Sequence, residues 1–204
     1  MHRIAKLSLL MILSALAGCA SLVTPEANPG AKALRSGDYA LDQRHAALLF
    51  KIDHLGFSKY IGRFERFDAS MTFSEDAPEK TELDVAVDVA SLDVADDDFA
   101  ETLIGPDWFD ATAFPQAFFR VTSVTQTGEQ TARVDGDLTL KGVTAPISLD
   151  ATFNGGARDL LRGAYVVGFS AIGSFDRTTF GVDRFAGVIS NTVEIEIEAE
   201  FVRK

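Results

Sequence analysis

Between His45 and Phe73, apolar and polar residues alternate with a period of two. Leu48, Phe50 and Ile52 share one face while Leu49, Lys51 and Asp53 take the other. Phe67, Ala69, Met71 and Phe73 then alternate with Asp68, Ser70 and Thr72. Successive side chains of a strand point to opposite faces, so the pattern predicts two strands, over 39–54 and 63–73, each with one buried and one wet side. The residues between His54 and Gly62 read as their connection.

The same alternation recurs down the chain. Leu83, Val85, Val87 and Val89 mark a third strand, and 117–126 a fourth. Ala132, Val134, Leu138 and Leu140 give the fifth, Val143 to Phe153 the sixth, and Tyr165, Val167, Phe169, Ala171 and Phe175 the seventh. The last is the plainest, with Val193, Ile195, Ile197, Ala199 and Phe201 set against Glu194, Glu196, Glu198 and Glu200. Pro146 falls on the outward parity, which a strand tolerates only at an edge or irregularity. One short helix is predicted over 95–103, where Asp96, Asp97 and Asp98 precede Phe99 and Leu103 and Gly105-Pro106 closes the segment. An aromatic loop with Trp108, Phe109 and Phe114 follows.

The class is therefore all-β: eight antiparallel strands with a single apolar side, plus one helix. Such a sheet closes as a barrel, which removes exposed edges, or stacks as a sandwich. An eight-stranded barrel has a lumen filled by side chains or wide enough for one small ligand. Ala69, Gly136, Ala145, Ala151, Ala171, Gly173 and Ala199 all point inward. They leave room for a ligand or let opposing aromatics interdigitate, and the pattern alone favours neither.

The first residues follow a different rule. Arg3 and Lys6 precede an apolar run, Leu7 to Leu16, too short to span a bilayer as a mature helix. Leu16-Ala17-Gly18-Cys19 resembles the lipobox of bacterial lipoproteins, so 1–18 is expected to be a lipoprotein signal peptide and Cys19 the acylated N-terminus. Cys19 is the only cysteine, which leaves no internal disulfide. Ala20, not Asp, follows it, and in the bacterial pattern this sorts a lipoprotein to the outer membrane. Residues 19–37, with Pro25, Pro29, Gly30 and Gly37, read as a flexible tether of roughly 25 Å. Residues 38–204 form one domain of ordinary size.

The formal charge is −11, and loss of Arg3 and Lys6 makes the mature chain more acidic. Nucleic-acid affinity rests on cations that release counterions, which this composition does not supply. An anionic bilayer would repel the domain too, so membrane association falls to acyl chains on Cys19. Catalytic candidates are few. His2 leaves with the signal, and His45 and His54 are an odd number of residues apart, on opposite faces of one strand unless a bulge intervenes. No metal site is expected from them, nor a calcium loop from Asp96, Asp97 and Asp98. Asp176 and Arg177 read as an ion pair that orders a loop, with a ligand contact as the other option.

Several ordered blocks resemble the YceI-like, polyisoprenoid-binding family. They are Tyr39-Ala-Leu-Asp42 with His45, His54-Leu-Gly56, Gly62-Arg-Phe64, Ala90-Ser91-Leu92, Trp108-Phe109-Asp110 through Phe114-Pro115 and Phe118, Gly136-Asp-Leu-Thr-Leu140 with Gly142-Val-Thr144 and Pro146, and Asp176-Arg177 with Phe180-Gly181-Val182. Ala46 and Trp108 depart mildly from the family pattern, where Ser and Phe are usual. The resemblance spans about 39–201. It implies a lipocalin-like antiparallel barrel in the bacterial periplasm and non-covalent binding of a long isoprenoid, such as a quinone or polyprenyl chain. It does not imply catalysis.

On that expectation the lining falls to the inward apolar residues Phe50, Ile52, Met71, Val85, Val87, Leu138, Ile147, Tyr165, Phe169 and Ile195. His54 at the mouth either closes a local hydrogen bond or meets a ligand head group. Two further readings stay open: a structural or interaction lipoprotein of the envelope with a filled core, and an accessory acting on a bound quinone. Oligomeric state is open as well, with a homodimer among the options.

Overall fold

The computed structural model describes residues 27–204. Cys19, the signal segment and the first part of the predicted tether lie outside the described residues. Ten strands follow in chain order: β1 Gly37–His54, β2 Ser58–Phe64, β3 Phe67–Phe73, β4 Glu82–Asp88, β5 Leu92–Val94, β6 Gln116–Gln126, β7 Thr131–Leu140, β8 Val143–Asp159, β9 Ala164–Asp176 and β10 Thr192–Arg203. The helix α1, Asp97–Ile104, lies between β5 and β6. Asp96 caps it by accepting from the Phe99 amide at 3.0 Å, and Gly105 ends it.

Eight strands form a closed ring. Its order is β1, β3, β4, β6, β7, β8, β9 and β10, and β10 pairs back onto β1 from Tyr39↔Arg203 to Ile52↔Val193. All of these pairings are antiparallel. The fold is therefore an eight-stranded barrel, built from the eight strands that the alternation marks. β2 and β5 extend it. The first part of β1 pairs with β3, from Gly37↔Phe73 to Ala40↔Ser70; its later part pairs with β2, from Leu48↔Phe64 to His54↔Ser58, and β2 carries β5.

The segment read as a connection after His54 is thus half of a tight hairpin. Leu55 and Gly56 have φ of 59° and 75°, and the Phe57 amide donates to the His54 carbonyl at 3.1 Å. Both central residues of this turn take the left-handed region, as in a type I′ turn, and the three-residue loop 55–57 joins the pair His54↔Ser58.

Three strands carry register shifts, between Leu41 and Ala46, Val121 and Ser123, and Phe153 and Gly155. The first reverses parity within β1, so Tyr39 and Leu41 on one side of it and Phe50 on the other are all buried. Pro146 pairs only with Asp137, because β9 joins β8 from Leu149 onward. Its missing N–H falls where β8 has one neighbour, the edge position that proline requires.

The barrel has two distinct ends. At the helix end, α1, the 105–115 loop and the 177–191 loop gather beside the β1–β2 turn. At the strap end, the chain before β1 lies along the barrel. Asn28 forms a bridge with Gly156, Ala33 is buried, and Ser36 and Glu75 exchange hydrogen bonds of 3.0 and 2.8 Å. A Cβ on Gly155 would stand 2.8 Å from the Asn28 carbonyl oxygen, and one on Gly156 would stand 2.6 Å from that of Ala33. The two glycines let the strap approach backbone to backbone, so the predicted tether is docked over residues 27–36.

Candidate ligand-binding site

Inside the ring lies a cavity of about 1050 Å³ whose wall is almost wholly apolar. Drug-sized ligands occupy sites of roughly 300–1,000 Å³, so the space suits one long apolar molecule. Polar side chains enter the wall near the two ends: Lys32, Glu75, Glu79 and Gln130 at the strap end, and His54, Tyr60 and Arg177 at the helix end.

Ten of the eleven residues expected to line a lumen are in this wall. β1 contributes Phe50, Ile52 and His54, β3 Met71, and β4 Val85 and Val87. Leu138, Ile147, Phe169 and Ile195 come from β7, β8, β9 and β10. Tyr165, expected in the lining, is the exception. Its hydroxyl donates to the Ala33 carbonyl at 2.8 Å and Arg35 lies 4.1 Å above its ring, so it fastens the strap and does not line the lumen. His54 is exposed at the lumen edge, and its imidazole makes no hydrogen bond among the described residues.

Six of the seven small inward residues divide into two sets, while Ala145 packs against the buried core. Ala69, Ala151, Ala171 and Ala199 belong to the cavity wall. Gly136 and Gly173 are covered instead, by the Phe119 ring 2.4 Å and the Leu149 side chain 2.6 Å from where a Cβ would stand.

The helix end holds wall residues that the alternation could not reveal. Tyr60, Phe99, Trp108 and Phe185 form a chain of tilted and edge-on rings with centroids 5.7, 6.4 and 6.2 Å apart. Such geometry is favourable beyond simple burial. Burial raises the Tyr60 pKa, with Asp96 adding to it, so this phenol stays neutral. Arg184 pairs with Asp107 at 3.1 Å and so fastens the late loop to the aromatic one.

Asp176 and Arg177 do not form the expected ion pair. Asp176 caps the turn Arg177–Phe180, accepting from the Thr178 amide at 2.8 Å and from its hydroxyl at 2.6 Å. Those bonds hold its carboxyl below the usual range. Arg177 turns inward and is 2% exposed. Its Nε donates to Ser190 O at 3.0 Å, and Nη1 donates to Val182 O at 2.6 Å and Arg184 O at 3.0 Å. The two residues order the loop separately.

Outside the barrel, Asp42, His45 and Glu200 bring ligand-type atoms within 4.8 Å of one another. Arg162 already bridges them, with Nη1 2.8 Å from Asp42 Oδ2, 2.7 Å from Glu200 Oε2 and 3.4 Å from His45 Nδ1. The cluster is an internal ion network. His45 is held to Asp42 at 2.9 Å, facing away from the lumen.

A closed antiparallel barrel around an apolar cavity defines the lipocalin-like class. The YceI-like domain model matches residues 39–201, and the chain belongs to that family. It is 37% identical over 171 residues to a protein of Pseudomonas savastanoi pv. phaseolicola named UPF0312, an alignment covering 83% of this chain and 88% of the relative. Among solved structures it resembles the YceI protein of Campylobacter jejuni, with a TM-score of 0.67, 28% identity, and coverage of 76% of this chain and 91% of that one. A polyisoprenoid binding domain from Saccharophagus degradans shares the fold, with a TM-score of 0.62, 17% identity, and coverage of 81% and 98%.

Proposed function

We propose that this protein is a non-enzymatic lipid-binding barrel that holds a long-chain isoprenoid, of the quinone or polyprenyl type, in its lumen for carriage or storage in the periplasm. The observation that carries this reading is the apolar cavity of about 1050 Å³ running between the two polar ends. Burial is worth about 0.8 kcal/mol per CH₂, so each five-carbon unit contributes about 4 kcal/mol before ordering costs. The tail then supplies most of the affinity and the head group mainly sets direction. The polyisoprenoid-binding neighbour supports the same ligand class. The open lumen supports this reading over the interaction-protein alternative, which calls for a filled core.

The lipobox-like residues before Cys19 support acylation there and attachment to the outer membrane.

Purification from the native envelope without added lipid, followed by solvent extraction and mass spectrometry, tests this reading. It predicts an isoprenoid in the extract, near one per chain. Empty barrels in every preparation contradict it.

A further inference from the structure

The two ends of the lumen are closed in different ways. At the helix end, Trp108, Phe180 and Val182 are buried in the main apolar cluster, and the Arg177 guanidinium holds the late loop by three carbonyls. Opening that end would break the core. At the strap end the closure is residues 27–36, whose partners go round the rim. Pro29 O accepts from Gln130 in the β6–β7 turn, and Asn28 exchanges backbone bonds of 3.2 and 3.0 Å with Gly156 in β8. Ala33 O accepts from Tyr165 of β9 at 2.8 Å, and Arg35 O from Tyr39 of β1 at 2.6 Å. Ser36 meets Glu75 in the β3–β4 turn, and its carbonyl accepts from Arg203 of β10.

A short segment bonded to strands and turns on all sides of the ring crosses its opening. Lys32 and Leu34 accordingly border the lumen, as do the fastening points Glu75 and Gln130. Leu34 packs against the apolar cluster that holds Met71 and Phe201. None of the strap's bonds is a pairing between ring strands, so lifting it leaves the ring intact. Asn28, Pro29, Lys32 and Arg35 are exposed. Segments with few buried contacts and exposed hydrogen bonds open at free energies below that of global unfolding.

We propose that residues 27–36 are the gate of the lumen. Lipid enters and leaves at the strap end, when the strap lifts as a unit and the eight ring strands stay paired. The helix end stays shut throughout. The rate of exchange is then set by how often the strap opens, and the affinity by the wall it uncovers. The proposal rests on the lipid-binding reading above and adds the route of exchange to it.

The test follows loading of delipidated protein in real time. Trp108 is the only tryptophan and borders the lumen, so a quinone carrying a short isoprenoid tail quenches it on entry. Tyr165→Phe and Ser36→Ala each remove one fastening of the strap, and neither side chain is in the wall. One hydrogen bond corresponds to about fivefold in an opening equilibrium. Loading and release should both quicken about fivefold in each variant, and about tenfold or more in the double variant. Affinity should not change, because these bonds are made with the lumen empty or full. Phe185→Ala removes an exposed ring from the helix end and should not quicken loading. In the unmodified protein, hydrogen exchange should release the Asn28 and Ala33 amides well before those of β9 and β10. Wild-type rates in both strap variants, faster loading by Phe185→Ala, or strap amides as protected as the ring's overturn the gate and leave the lipid-binding reading intact. A probe that quenches none of the proteins defeats that reading, and the gate with it.

Discussion

Arg162, at the β8–β9 turn, donates from Nη1 to Glu200 Oε2 at 2.7 Å and so ties that turn to β10, the strand that closes the barrel. The same nitrogen reaches Asp42 in β1, and Nε reaches Asp159 at 2.5 Å. One guanidinium thus joins both strands of the closing seam to a neighbouring hairpin. Asp42 is held below the usual carboxyl range, first by His45 and then by Arg162, and Asp159 is held there chiefly by Arg162. Burial opposes the charge on Arg162, but its carboxylate bonds outweigh that and raise its pKa.

Those shifts fix the sign of an acid dependence. The folded carboxyls titrate below their unfolded value of about 3.9, so their contribution is complete above that value and is lost as pH falls through the folded pKa. Urea midpoints should fall in wild type below about pH 4. Arg162→Met should start lower at pH 7 and lose less on acidification. Parallel curves for the two proteins would contradict the network.

Gly136 marks where the wall is already full. A Cβ there would meet the Phe119 ring at 2.4 Å and the Arg120 carbonyl oxygen at 2.6 Å, and the latter is backbone that cannot turn aside. Gly136→Val should destabilise by about 1–3 kcal/mol, as overpacking does. Chemical denaturation measures this directly, and an unchanged midpoint would refute the packing described.

Ala171 marks where the wall is empty. It pairs with Ala151 across β8–β9, and both border the cavity. Ala171→Phe should place its ring in the lumen, weaken isoprenoid binding about tenfold or more, and change stability by less than about 1.5 kcal/mol. Isothermal titration paired with denaturation separates the two effects. Full binding in this variant would place the ligand elsewhere.

Tyr165→Phe removes only the hydroxyl bonded to Ala33. It should cost about 0.5–1.5 kcal/mol and leave ligand affinity unchanged, because the ring is not in the wall. Loss of affinity at intact stability would return Tyr165 to the lining.

The eight ring strands were legible because each has one wet face, as the glutamates of β10 show against Lys51, Lys59, Ser170 and Arg162. β5 has three residues and cannot display a period. β2 hides its alternation, since Gly62 takes an inward position under the Phe50 ring and Ile61 is 50% exposed on the outer face. The docked strap resembled a tether because Pro29 and Gly30 interrupt it and its residues carry no period. Gly155-Gly156, where a second backbone closes in, was the signal for it. Arg177 follows Asp176 directly, which suggested a pair. That three carbonyls from 182 to 190 would claim the guanidinium depends on how the loop closes, which residue types alone do not encode.

The central claim is a hollow apolar lumen whose affinity comes from chain burial. Titrating delipidated protein with isoprenols of increasing length tests it most directly. Affinity should rise with each five-carbon unit until the cavity is filled, and then level off. Affinity that does not depend on chain length would contradict the account.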